Sequence, residues 1–332
     1  MRPVPTKPIA SLFMEASYHR GVRPPRQAPA VTLGVLLIGL AAISWGTTGS
    51  VMTVVGGYAV SPLLVGTARL WIAAVLLVLA ALLSGAPRGA PASHGPRGAD
   101  VWRALAAGAC MAGYQAAYFT AVTLAGIAVV ALVAICSAPL IIAALAPLTL
   151  GEVPGTRVRG ALALGVPGTA LLVAVPGGGG DLSARFFAGG ALALAAGLAY
   201  ALYVLLTKAA LARTTPLPLT AFTFGAGALL LAPALLWTDA PLAQLARGWP
   251  WLLYLGAVAT AGAYALYAVG LRLVPASVAG IVTLAEPLTA TLLGVLIFGE
   301  RLGPGGVVGG VLLLAALGLV LYPARLSAPG RT

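Results

Sequence analysis

Long apolar runs dominate the chain, too long and too numerous for the core of a soluble domain, and most connections between them are short. A hydrocarbon core about 30 Å thick needs roughly 20 helical residues at about 1.5 Å each. On that measure the pattern predicts ten membrane-spanning helices, at 31–50, 62–84, 101–122, 126–148, 157–176, 187–208, 217–237, 250–271, 276–298 and 304–323. The longest connection, Ser84 to Asp100, is rich in Gly, Pro and Ala, and Gly177 to Gly180 makes a flexible break before Asp181. The expected fold is an all-α integral membrane protein. Its parts are a disordered basic tail over 1–30, a five-helix unit over 31–176, a second over 187–323 and a short tail over 324–332.

Composition agrees with this and narrows it. Only 8% of residues are charged and 60% are hydrophobic, where a soluble domain carries roughly 25% charge. The 43 glycines suit helices that associate by close backbone approach in lipid. A net charge of +12 would point a soluble protein toward nucleic acid. Here the basic residues lie in loops and at span ends, so they report topology, and a nucleic-acid partner is excluded. With the N-terminus inside, fifteen of the 19 basic residues fall on the inner side. Arg185, Arg247 and Arg301 fall outside, and Arg69 lies within a span. Both termini are therefore expected in the cytoplasm, at a cell (inner) membrane. Cys110 and Cys136 sit in apolar segments and read as small buried hydrophobes. No His or Cys cluster supports a metal or haem, no GxxxxGK[ST] loop is present, and no cofactor is expected.

The chain also repeats itself. Pro139–Glu152 (PLIIAALAPLTLGE) and Pro287–Glu300 (PLTATLLGVLIFGE) agree at six of fourteen positions, 148 residues apart. Ala112-Gly113 and Tyr118 match Ala261-Gly262 and Tyr267 at an offset of 149. Five spans per half is an odd number, so the second half enters the membrane from the opposite side. That is an inverted-topology repeat, an architecture used for alternating access.

The ten-span pattern, Trp45-Gly46 in the first span, the two segments Pro139…Gly151-Glu152 and Pro287…Gly299-Glu300, and a glycine-rich last span resemble the EamA-type branch of the drug/metabolite transporter superfamily. The resemblance covers 31–323. It implies a plasma-membrane carrier for efflux of small metabolites, with amino acid export common among its members, and not an enzyme. The Glu286-Pro287 pair looks like that of many bacterial members, whereas the first half has Ala138 before Pro139.

Candidate site residues follow from the cost of polarity in lipid. Of the charged residues, only Arg69 and Glu286 lie more than a few residues inside a span. An ionisable group there costs several kcal/mol unless paired or hydrated, which makes each a functional candidate. Glu286 is roughly 15 Å deep, near the midplane, and suits ammonium recognition or proton exchange; a structural carboxyl is the other reading. Pro287 removes a backbone donor and is expected to free the Thr283 carbonyl. Arg69, roughly 10 Å from the outer end, would pair with Glu286, clamp a substrate carboxylate, or snorkel to the outer headgroups. Trp45, Tyr114, Tyr118, Tyr200, Tyr264 and Tyr267, with Tyr203, Gln115 and Ser137, would line a polar aromatic cavity or serve packing and interhelical hydrogen bonds. Pro139, Pro287, Gly151 and Gly299 are structural or gating positions. Trp249, Trp251 and Tyr254 read as an interfacial belt. The pairs Gly305/Gly309 and Gly306/Gly310 seat one helix on another, within a monomer rather than across a homodimer.

These residues predict a carrier whose partners are a small-molecule substrate, protons and the lipid bilayer. A multidrug or sugar-nucleotide exporter is the alternative within carriers. A membrane-embedded enzyme would need a cluster of His, Asp, Glu or Cys near an interface, which the chain lacks. A channel would need polar stripes along several helices, and polar residues here are few.

Overall fold

The computed structural model describes residues 28–84, 98–173, 183–299, 301 and 303–321. Residues 1–27 of the expected 1–30 tail, the whole 324–332 tail, most of the Ser84–Asp100 connection, the Gly177–Gly180 break and Glu300 lie outside the described residues, while 28–30 are helical rather than tail. Every regular element described is helical. In chain order these are α1 (Ala28–Gly56), α2 (Pro62–Leu83), α3 (Gly98–Ala125), α4 (Ile127–Leu150), α5 (Thr156–Val173) and α6 (Ala184–Ala210). Next come α7 (Pro216–Leu231) with a 3₁₀ extension to Trp237, and α8 (Pro241–Gly256), which runs through a π-helical turn (Ala257–Gly262) into α9 (Ala263–Leu273). The last are α10 (Ala276–Val282), α11 (Ala285–Phe298) and α12 (Pro304–Leu321).

Among the described residues eight helical stretches are long and apolar enough to cross a membrane. The other two expected spans, 101–122 and 157–176, coincide with α3 and α5. Both start with charge, Asp100 and Arg103 in one and Arg157 and Arg159 in the other, which lowers their hydropathy. The protein is a multi-pass membrane protein.

Helix ends follow local chemistry. Ser61 and Ser183 cap α2 and α6, their hydroxyls accepting from Leu64 N and Phe186 N at 3.3 Å. The matched glycines of the repeat do the same job: Gly151 ends α4 and Gly299 ends α11, each with φ of 68°. Only glycine adopts that left-handed conformation without strain.

The ninth expected span is two helices. α10 stops at Val282, a turn carries Thr283 and Leu284, and α11 starts at Ala285. The expectation of a freed Thr283 carbonyl needs correction. It accepts from Glu286 N at 3.0 Å, a three-residue bond that tightens the turn where Pro287 has no N–H to give. Pro139 occupies the matching place in α4, which continues through it.

α1 packs on α9 and α11, α2 on α7, α8 and the π turn, α3 on α6 and α7, α4 on α6, and α5 on α12. Water drives little helix association inside lipid, so contacts rest on close fit. A Cβ on Gly46 of α1 would lie 2.7 Å from Glu286 O and 2.6 Å from Thr289 Cβ of α11. Gly309 of α12 meets the backbone of α5 at Gly168, which puts that part of the glycine pattern inside the monomer. Gly305, with open space around its Cβ position, and Gly306 both join the cavity wall instead.

Candidate functional site

Two spans with weakened helical geometry contribute to the middle of the bundle: the one with the π turn before α9, and the one broken between α10 and α11, which bring Tyr264 and Thr283 to a common cavity. The cavity has a volume of about 900 Å³. That is within the range of small-molecule sites. Eight of the nine expected binding residues line it: Trp45 from α1, Arg69 from α2, Tyr114, Gln115 and Tyr118 from α3, Tyr200 from α6, Tyr264 from α9 and Glu286 from α11. Pro139 and Pro287 also line it, whereas Gly151 and Gly299 cap helices away from it.

The ninth residue, Tyr267, stands behind the wall. It is fully buried, with its ring 5.3 Å from that of Trp45. Trp45 lies 4.7 Å from Tyr264 with the rings tilted at 46°, and meets Tyr200 edge-on at 6.4 Å. Tyr200 in turn lies 5.7 Å from Tyr114, which lies 5.7 Å from Tyr118. Aromatic side chains from four helices thus form one continuous wall. Tyr203 is buried beneath it, against Tyr264 and Phe224. Ser137 was expected in this wall but is not part of it. Its hydroxyl donates to Ala134 O at 3.2 Å and fills the space a Cβ on Gly197 would need.

The two charged candidates are held differently. Arg69 is only 7% exposed and does not snorkel. Its Nε donates to Thr260 Oγ1 at 2.9 Å and its Nη2 to Ala259 O at 3.3 Å. Glu286 is partly buried, and its carboxyl has no hydrogen bond or ion pair within 4 Å among the described residues. An Arg69–Glu286 ion pair, one of the three readings open for Arg69, is therefore not formed. A fixed cation donor and an unengaged carboxyl face the same cavity. Trp45 Nε1 and Thr48 Oγ1, both buried in its wall, also lack hydrogen-bond partners among the described residues. Unpaired buried donors are costly, and a bound solute or water would satisfy them.

The cavity is one-sided. Its wall includes Met52 near the end of α1, Val122 near the end of α3, Val173 at the end of α5, and Arg301 and Gly303 ahead of α12. It thus reaches one end of the bundle. In the other direction along α9 the wall stops at Tyr264, followed by fully buried Tyr267 and Leu271. There Lys208 Nζ donates to Leu271 O at 2.6 Å and Val274 O at 2.5 Å, and lies 3.9 Å from Glu152 Oε1. Glu152 Oε2 accepts from Ala276 N at 2.6 Å, capping α10 from the other half of the chain.

Sequence reasoning missed several of these residues. Thr48 is three residues from Trp45, and Thr260 four from Tyr264, so helical spacing puts each on the same face as a named aromatic. Lys208 read only as a topology marker. The three belt residues differ in exposure. Trp249 is 62% exposed, whereas half-buried Trp251 packs against a cluster that includes Val51 and Leu252, and half-buried Tyr254 has its OH 2.9 Å from Thr47 Oγ1.

The chain matches the model of the EamA-like transporter family twice, over residues 32–174 and 187–322. It is 38% identical over 290 residues to the uncharacterized transporter YwfM of Bacillus subtilis, covering 87% of this chain and 93% of that one. An uncharacterized transporter of Archaeoglobus fulgidus is 33% identical over 124 residues, 37% of this chain and 44% of its own length. A solved crystal structure superposes with a TM-score of 0.74 over 89% of this chain and 99% of its own, at 22% identity, which speaks for the fold alone. With the family model matching both halves and a relative similar over most of both chains, the chain belongs to the EamA-like transporter family and is a membrane transporter.

Proposed function

We propose that this transporter is a ten-span, inverted-repeat carrier of zwitterionic metabolites, amino acids first among them, that works by alternating access as a monomer. The single observation that carries the reading is that an anchored Arg69 and an unengaged Glu286 line one aromatic cavity. A guanidinium suits a carboxylate and a carboxyl suits an ammonium, so the two ends of an amino acid find opposite partners. Neutral or bulky drugs would leave the Arg69 charge without use.

The helix contacts support the repeat. Exchanging the halves turns the packing of α3 on α6 into that of the α8–α9 span on α1. The same exchange turns α4 on α6 into the α10–α11 span on α1, and α3 on α7 into α8 on α2. The α5–α12 and α2–α7 pairs map onto themselves, as expected for a two-fold axis in the membrane plane. With both termini in the cytoplasm, the cavity opens outward and the Lys208–Glu152 end faces in. Export follows from an inward-opening counterpart that loads substrate, with Glu286 exchanging a proton for the substrate ammonium.

The test is flux of labelled amino acids in proteoliposomes, with and without a pH gradient. We expect gradient-driven flux that Glu286→Gln abolishes while Arg69 and the fold remain. Flux unchanged by Glu286→Gln would make that carboxyl structural. No flux for any amino acid would overturn the substrate class.

A further inference from the structure

Arg69 comes from α2, but what fixes its guanidinium belongs to another span. Both acceptors, Thr260 Oγ1 and Ala259 O, lie in the π turn Ala257–Gly262. In an α-helical register the N–H of Ala263 would donate to Ala259 O, four residues back. Here it reaches Val258 O, and Ala259 O accepts from Arg69. The turn therefore exchanges one helical bond for a bond to the guanidinium.

Thr260 is fully buried, and its hydroxyl donates to Leu255 O at 2.7 Å. A hydroxyl has one proton. With that proton committed to Leu255, Oγ1 can only accept from Arg69. The relay Arg69 Nε to Thr260 to Leu255 O fixes the plane of the guanidinium. Nη1 has no partner among the described residues, and Arg69 lines the cavity.

The repeat does not impose this device. At the offset of 149, Thr260 falls on Met111, a fully buried residue in the middle of α3, which is regular α-helix. π turns inserted in α-helices are frequent at functional sites. We propose that Thr260 is a positioning residue: with the Ala259 carbonyl it aims Arg69 at the carboxylate of the substrate, and so sets the preference for carboxylates over neutral analogues. This rests on the reading of Arg69 as the carboxylate partner.

The experiment compares L-leucine with L-leucinamide, which keeps the ammonium and loses the carboxylate, as transported solutes in proteoliposomes. Loss of a hydrogen bond to a charged group makes about a tenfold difference. Thr260→Val should raise KM for leucine by about that factor, with Vmax and the leucinamide KM unchanged. Thr260→Ser, which restores the acceptor, should restore the leucine KM. If Thr260→Val does not reconstitute, Thr260→Cys replaces it, because a thiol is a weak acceptor. An equal change for leucine and leucinamide, or no rescue by Ser, would reduce Thr260 to a packing residue and overturn the proposal. Arg69→Gln separates the two levels. A leucine-specific loss in Arg69→Gln but not in Thr260→Val sinks the positioning role alone. No leucine-specific loss in Arg69→Gln, or no leucine flux in the unmodified protein, sinks the carboxylate reading beneath it.

Discussion

At the scale of single residues, the site is an aromatic surface with a few unsatisfied donors. Trp45 is its centre, touching Tyr200, Tyr264 and Tyr267 while its Nε1–H has no partner among the described residues. Trp45→Phe keeps the ring contacts and removes that donor. It should weaken substrate binding by about fivefold to tenfold, as for one neutral hydrogen bond, read by competition against a labelled solute. An unchanged affinity would show that the indole N–H faces water or nothing in the bound state. Arg69 and Glu286 were legible in the sequence because a charge in an apolar run is conspicuous. Thr48 and Thr260 were not, since threonine is common in apolar helices and its role depends on what lies across the interface.

At the scale of elements, two irregular spans position the site: the π turn holds Arg69, and the break carries Thr283 and Glu286 into the cavity wall. The break at Thr283–Leu284 lets α1 approach so closely that Gly46 touches the backbone of α11. A side chain there must displace Glu286 O, which the backbone cannot yield cheaply. Gly46→Val should destabilise by about 1–3 kcal/mol, seen as a lower Tm in detergent. Gly39, in the same helix, has nothing within 4 Å of its Cβ position. Gly39→Ala should therefore leave Tm unchanged or raise it. Equal effects would mean that helix propensity and not the α1–α11 contact governs. Pro287 announced a weakened helix, but not where its hydrogen bonds would go. The π turn had no signal in the sequence, because its register is stabilised by Arg69, 191 residues away.

At the scale of the whole molecule, the cavity reaches one end and a cross-linked layer closes the other. Lys208 and Glu152 tie the end of α6, the α4–α5 connection and the α9–α10 junction together. Glu152→Ala removes the cap on α10 and the countercharge near Lys208, and should loosen that end. With Cys110 and Cys136 replaced by Ser, a cysteine at buried Ser277 should react faster with a maleimide in Glu152→Ala than in its parent. Equal labelling rates would make this cluster ordinary packing. The sequence by itself determined that the chain is a helical membrane protein of duplicated segments, and which charges must be explained. Hydropathy and internal likeness are local properties, and the depth of a charge is read from its place within a span. Only the tertiary structure decided that Arg69 bonds to the π turn rather than to Glu286 or the headgroups, that Ser137 leaves the wall, and that Tyr267 stands behind it. Those outcomes depend on which side chains from distant helices compete for the same few hydrogen-bond partners, and spacing along one helix does not fix that competition.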